Sequence, residues 1–539
     1  MSKDTLRMVI GFVFIIAILI IWQSLFRPNP RPAAPQTPPL AETTQAKSAQ
    51  PPVKKAKPEQ EQPVPELTPL LVEPARPETT VVLENQFLKV KFTNMGGALS
   101  SVRLKHYKAE LVPEGATLLS TDLLLPKGTA DLSHTLMQTR SGPHSVTFTI
   151  TGESLSLKKT FTMDNGYTIK QKVEIKGAKG YVLRAMSGIA ITERNIKEDL
   201  AHSHFYIRTT DKPRRFAAKN LKKPVNINES ADWVALKSKY FFLAAVNKGQ
   251  GFDSTYAAAL EDRRVGFNAA VHTRDSESEL TFYIGPLEYT RLHSFGLGFE
   301  NAVSLGWAKP IALGILWLLK FLYRIFGNWG VAIIIFSILM KLVFYPLTRT
   351  QTKQMRQMQM LQPKLNELKK KYKSDPQALN RETMELYKLY KVNPLSGCLP
   401  MLIQLPVFWA LYSVLRTFID LRGADFVFWL KDLSKPDTLF GHLPFMGNPA
   451  IGLLPIMMGV SFIAQNMLTS ADKKNWALTI IFPIFITVIF LNFPSGLQLY
   501  WFIYNILSIL ESLIVLKGGK AWRKMKPGKG PSLATAQLK

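Results

Sequence analysis

Trp329–Phe344 (WGVAIIIFSILMKLVF) is apolar except for Ser337 and Lys341, and with Tyr345–Thr348 it is long enough to span a bilayer. A charge within hydrocarbon costs about 3 kcal/mol on translocon scales and more by other measures. Such a residue either faces a cavity, a partner or a functional path, or it snorkels to the interface. Lys341 lies roughly 10 Å from the end of the run at 1.5 Å per residue, a distance that a lysine stem covers in part. What this charge faces is the main functional question that the chain poses.

The chain has 539 residues, too many for one core, and 47% of them are hydrophobic. Those residues are unevenly spread. Residues 8–26 and much of 305–516 are apolar, whereas 27–300 read as soluble protein, so an integral membrane protein with a large soluble part is expected. The formal net charge is +28, and half of the excess sits in two short segments. Residues 349–392 hold 11 Lys/Arg against 4 Asp/Glu, and 517–539 hold 7 against none. Basic segments flanking spans point first to cytoplasmic retention, then to contact with anionic lipid or RNA. The single cysteine, Cys398, permits no internal disulfide and reads as a small packing residue. The histidines form no HxxxH pattern, and no metal site or cofactor is expected.

Met8–Phe26 follows Lys3 and Arg7 with no small-residue cleavage site after it, which reads as an uncleaved anchor with a cytoplasmic N-terminus. Residues 27–80 hold 14 prolines and favour an extended tether that buries no core. From about 81 to 285 the hydrophobic period is mainly two, as in LSLKKTFTM (155–163) and YTIKQKVEI (167–175). Asp164-Asn165-Gly166 between those two runs signals a hairpin, and the region reads as a large antiparallel β-sandwich. His202 and His204 lie near Arg208 and Asp211, yet no nucleophile elbow or carboxylate pair accompanies them. Binding or scaffolding is favoured over catalysis there.

Pro310–Phe326 is apolar enough to be weighed as a span. Were it to cross, the basic 349–392 segment would lie outside and every later loop would invert, so it reads as an interfacial helix. The spans are then 8–26, 329–348, 398–420, 451–468, 476–493 and 496–516, with both termini inside. Within 349–392, Met355, Met358, Leu361, Leu365, Leu368 and Tyr372 keep heptad-like spacing, and Ser374-Asp375-Pro376 breaks it before Leu379, Leu386, Tyr387 and Tyr390. An αα-hairpin fits. Its Lys369, Lys370, Lys371 and Lys373 are read either as a solvated face or as a contact for anionic head groups or ribosomal RNA. Ser495, after Pro494, is expected to cap the last span.

The fold expected is a multi-domain membrane protein. Its parts are a cytoplasmic N-terminus and transmembrane anchor (1–26), a Pro-rich linker (27–80), a periplasmic antiparallel β-sandwich (81–300) and an interfacial amphipathic helix (301–328). An α-helical five-span core (329–516) with its cytoplasmic hairpin (349–392) follows, then a basic cytoplasmic tail (517–539). That makes six transmembrane helices in a bacterial inner membrane.

Four runs carry a family resemblance: YPLTRTQ (345–351), MQMLQPKLNELKKKY (358–372), LYKLYKVNPLSGCLPMLIQLPVFWALY (386–412) and FPSGLQLYW (493–501). With the order of elements, they make the chain similar to the YidC membrane-protein insertase family, in its Gram-negative bacterial form. In the β region TNMGGALSSVRL (93–104) is the best match. The resemblance implies a hydrophilic groove, open to the cytoplasm and to lipid and closed toward the periplasm, with a positive residue on the first core span. Here that residue is Lys341, where the family most often has arginine. It also implies Ser337, Gln404, Gln465, Trp501 and Asn505 as groove-lining residues. The partners it implies are nascent membrane proteins, the Sec translocon (SecYEG and SecDF), membrane lipids, and the ribosome through the hairpin and basic tail.

Such a groove shortens the dry path for the polar flank of an incoming helix, and transfer of its apolar residues into lipid supplies the driving force. No GxxxxGK motif is present and no nucleotide is needed. A non-enzymatic insertase and chaperone is therefore expected. The competing class is a secondary transporter or channel with Lys341 in an anionic substrate site, which paired half-spans or an internal repeat would favour. One local alternative concerns Glu511, the only acid well inside a predicted core span, at a depth similar to that of Lys341. A Lys341–Glu511 pair would make the charge a structural bridge, and heads more than about 6 Å apart would exclude it.

Overall fold

The computed structural model describes residues 77–126, 128–152, 154–273, 276–390, 392, 399–442, 449–469 and 477–517. The expected anchor 8–26, most of the linker, Cys398 and nearly all of the basic tail lie outside the described residues. Two compact units result. One comprises the described residues up to Ser238 together with Leu243–Tyr283, and the other comprises Lys239–Phe242 together with Ile284 onward.

The first unit is built of antiparallel sheets, as the period of two predicts. A nine-stranded sheet runs in the order Arg214–Ala217, His204–Arg208, Trp233–Lys237, Phe241–Val246, Glu277–Pro286, Thr168–Lys176, Ser156–Met163, Ser145–Thr151, Gln138–Ser141. A six-stranded sheet contains Ser120–Leu125, Gly180–Arg184, Ser254–Ala259 and Val265–His272, and a four-stranded sheet begins at Thr80. Side chains join the layers: Tyr181 and Ser278 hydroxyls meet at 2.6 Å, and the Phe92 and Phe161 rings lie 5.0 Å apart. The Asp164-Asn165-Gly166 hairpin forms, with Met163 opposite Ile169, and Asn85 Nδ2 donates to the carbonyls of Asp164 and Gly166.

Strict alternation places Lys159 inside the sandwich, with Leu157 and Phe161 on either side. Its ammonium donates to the Gly96 carbonyl at 2.6 Å. Gly96 and Gly97 both have positive φ, which glycine adopts without cost, and a Cβ on Gly97 would press on Lys159 Cε, Met137 Sδ and Phe148. The double glycine of TNMGGALSSVRL thus has a packing reason. His204 is equally structural: it is buried on its strand, its Nδ1 lies 2.7 Å from the His202 carbonyl, and burial pushes its pKa down to about 4.

The second unit is helical. Helix α1 (Lys309–Phe326) opens with a proline in its first turn and closes on Gly327 at φ 65°. It buries Ala312, Ile315, Leu316, Leu319 and Leu322, while Trp317, Phe321 and Ile325 on its other face stay exposed. Lys320 Nζ stands 2.6 Å from Glu288 Oε1. Helix α2 (Trp329–Lys371) is capped by Asn328, whose side chain accepts from Val331 N at 3.1 Å. It runs 43 residues without a break. The span expected to end at Thr348 and the first arm of the hairpin are therefore one helix. Charge marks where hydrocarbon ends, and backbone hydrogen bonding does not stop there.

Helix α3 (Pro376–Leu389) forms the second arm, capped by Asp375. Leu361, Leu365 and Leu386 bury the hairpin seam, and Lys369, Lys370, Lys371 and Lys373 are exposed beyond it. Helices α4 (Leu399–Thr417), α5 (Leu453–Thr469), α6 (Phe482–Phe490) and α7 (Ser495–Lys517) complete the unit, with α7 packed against α2 and α5. Ser495 does not cap α7 as expected. Its hydroxyl donates outward to the Asp432 carbonyl at 3.1 Å, and its N–H goes to the Lys435 carbonyl. Among the described residues, α2 and the stretch Ser495–Ile514 are long and apolar enough to cross a membrane, and Leu453–Thr469 and Thr479–Phe490 are apolar but shorter.

Candidate functional site: a buried ion pair between two apolar helices

Spacing on two helices builds the site. Ser337, Lys341 and Thr348 follow one another at four and seven residues along α2, which keeps them on one face. Trp501, Tyr504, Ser508 and Glu511 follow the same rule along α7. Where α2 packs on α7 the two polar stripes meet. Lys341 Nζ donates to Ser508 Oγ at 2.8 Å and stands 2.7 Å from Glu511 Oε2. The ammonium also lies 4.9 Å from the centre of the Tyr504 ring. Thr348 Oγ1 is 3.1 Å from both carboxylate oxygens of Glu511, and the Ser508 hydroxyl donates to the Tyr504 carbonyl at 2.9 Å.

Both charges are 7% exposed. Outward on α2, Leu342 and Val343 are 63% and 68% exposed, so the helix turns an apolar face away from the pair. Breaking a buried pair by deleting one partner costs on the order of 3–5 kcal/mol, because the other charge stays behind without a counter-ion. The separation is well inside the 6 Å bound, so Glu511 holds Lys341. Sequence reasoning missed Ser508 and Thr348, although the i, i+4, i+7 spacing from Trp501 and from Lys341 carries the signal.

The other expected residues surround this pair in a looser way. Ser337 is fully buried and its hydroxyl donates to the Ile333 carbonyl at 2.7 Å, within its own helix. Gln404 Nε2 donates to the Tyr500 hydroxyl at 2.6 Å, tying α4 to α7. Asn505 Nδ2 donates to Ser461 Oγ at 3.2 Å, tying α7 to α5. Trp501 stacks edge-on against Phe408 at 5.6 Å and meets Phe490 at 5.4 Å. Its Nε1, like Gln465 Oε1 and Gln351 Nε2, is buried with no hydrogen-bond partner among the described residues. Toward the far end of α2, a cavity of about 20 Å³ is lined by Thr352, Met355, Arg356, Gln359, Leu468, Thr469 and Ser512, room for one water. Among the described residues no three His, Cys, Asp or Glu side chains gather as metal ligands.

Two family models account for nearly all the described chain: one described as 60Kd inner membrane protein matches residues 321–521, and one described as YidC periplasmic domain matches 80–318. A protein of Pelobacter propionicus named "Membrane protein insertase YidC" is 31% identical over 96% of this chain and 99% of its own length. The chain belongs to the YidC family of membrane protein insertases. A YidC of Geobacter metallireducens is 39% identical over 53% of this chain and 52% of its own length. A solved structure described as an active YidC insertase with its first transmembrane domain resolved aligns with 82% of this chain and 93% of its own, at 20% identity and a TM-score of 0.40. The β-sandwich unit falls within the YidC periplasmic-domain match, which runs on into α1 as far as residue 318, and the helical unit from residue 321 onward falls within the inner-membrane match. In YidC terms, the ion pair joins α2 to α7 within the residues that match the inner-membrane family model.

Proposed function

We propose that this chain inserts newly made proteins into the inner membrane and helps them fold, alone or with the Sec translocon (SecYEG and SecDF), and does so without catalysis. The observation that carries the reading is a charged and hydroxylated stripe, the buried Lys341, Ser508 and Glu511 with the half-buried Thr348, between helices of membrane-spanning composition. The pair itself bridges the two helices, and the hydroxyls and amides around it make the seam polar enough to admit the polar flank of an incoming chain. Gln404, Gln465, Trp501, Asn505 and Ser337 line the same path in this reading. Trp501 Nε1 and Gln465 Oε1, without partners among the described residues, support it, since such a donor and acceptor suit water or the backbone of an incoming chain.

The topology that accompanies this reading has six spans and both termini in the cytoplasm. The hairpin and its Lys369, Lys370, Lys371 and Lys373 then face the cytoplasm, where they meet nascent chains, the ribosome or anionic lipid. The exposed aromatic face of α1, with Trp317 and Phe321 stacked 5.7 Å apart, suits a helix lying in the interface.

The test is insertion of a short single-span protein into liposomes containing the purified chain. Protease-protected substrate is expected only when the chain is present. Solute flux through the liposomes without any protected substrate would overturn the reading in favour of a transporter or channel.

A further inference from the structure

Resting on the insertase reading, we propose that Glu511 is a specificity-determining residue: it masks the charge of Lys341, so the site as built has little preference for an acidic translocating segment over a neutral one. A lone ammonium attracts a carboxylate with an energy that falls as the inverse of distance. Here the ammonium and the Glu511 carboxylate stand 2.7 Å apart, both buried. Seen along their axis from about 10 Å, the pair exerts about one-fifth of the potential of the ammonium alone. An approaching acidic tail therefore meets a dipole in place of a cation.

The carboxylate is fixed in that masking position. Thr348 Oγ1 on α2 lies 3.1 Å from each of its oxygens and shares its one proton between them and the Tyr345 carbonyl at 3.2 Å, while Ser508 and the Tyr504 ring fill further sides of the ammonium. Among the described residues every partner of Lys341 comes from α7, and Thr348 on α2 touches the one that cancels its charge. To engage Lys341, a substrate carboxylate has to displace Glu511 and then share the site with it, two acids against one lysine. A neutral tail faces no such repulsion.

The experiment compares two single-span substrates identical but for the translocated tail, one carrying two aspartates and the other two asparagines. The full-length chain in liposomes is assayed for protease-protected product, and the readout is the acidic-to-neutral ratio, in which losses of active protein cancel. Glu511→Gln is expected to raise that ratio at least threefold over the starting chain. Glu511→Asp keeps the charge and is expected to stay within twofold of it. Should Glu511→Gln fail to fold, Thr348→Val decides, because it frees the carboxylate without changing any charge and is expected to raise the ratio to a smaller extent. A ratio that does not rise in the variant that folds overturns the masking role. Failure of the unaltered chain to insert either substrate is a different result, since it overturns the insertase reading itself.

Discussion

Lys341 Nζ and Glu511 Oε2 stand 2.7 Å apart across two helices, and both residues are buried. A lone lysine at that depth would cost about 3 kcal/mol, so the carboxylate is what lets α2 keep its charge at low cost. Deleting either side alone should therefore be worse than deleting both. Lys341→Met is expected to destabilise the helical unit by about 3 kcal/mol, and the double change Lys341→Met with Glu511→Leu to recover most of that loss. Unfolding in mixed micelles, read as a double-mutant cycle, measures the coupling. A coupling near zero would show that the two charges are solvated independently.

Asp437 performs three tasks at the start of α5. Its Oδ2 accepts from Leu454 N at 2.9 Å and from Trp429 Nε1 at 3.0 Å, and its Oδ1 accepts from Leu439 N at 3.1 Å. Asp437→Ala removes a helix cap and leaves a half-buried indole N–H without its acceptor, for an expected loss of about 2 kcal/mol. Asp437→Asn retains acceptors and should lose less. Hydrogen exchange at the first turn of α5 distinguishes the two, with faster exchange in the alanine variant.

The Asn505–Ser461 bond lies within packed helices at 3.2 Å. Interhelical bonds of this kind contribute about 0.6 kcal/mol on average and up to about 1.7. Asn505→Ala is expected to cost about 1 kcal/mol, and Ser461→Ala in the same chain to add little further. Additive losses in the micelle unfolding assay would rule out a shared bond.

The β-sandwich should become more stable as pH rises above 7. Burial pushes the Lys159 and Lys237 ammonium groups from 10.5 down to about 7. Between pH 7 and 10.5 the unfolded chain therefore binds more protons at these sites than the folded one does, so raising pH favours the fold. The gain is lost as pH falls from 10.5 to about 7, below which both states carry the proton. The limiting slope is about 1.4 kcal/mol per pH unit for each lysine. Exchange of the Ser156–Met163 amides, corrected for intrinsic rates, measures it, and Lys159→Met should reduce the slope by roughly one lysine's share. A slope unchanged in that variant would count against the assignment.

Much of this was legible in the sequence for physical reasons. Alternation along 155–175 fixed the faces of two strands and the turn between them, because one face had to be buried. Lys341 was conspicuous because hydrocarbon penalises charge. Lys159 was not, since adjacent lysines in a strand read as solvated until tertiary packing shows that one of them turns inward. Ser508 and Thr348 were hidden for another reason: hydroxyls satisfy themselves within a helix, as Ser337 does, and only the position of a charge on the facing helix reveals which of them work across it.

Because α2 has no break, Lys341 and the exposed Lys369–Lys371 tip are parts of one rod, roughly 42 Å apart at 1.5 Å per residue. A push or twist on the tip is mechanically a push or twist on the ion pair. Pro346 and Pro363, both inside the helix between Lys341 and the tip, each withhold one backbone hydrogen bond and are the places where such a lever would flex. Whatever docks on the hairpin is in this way coupled by leverage to the height and rotation at which the buried charges meet.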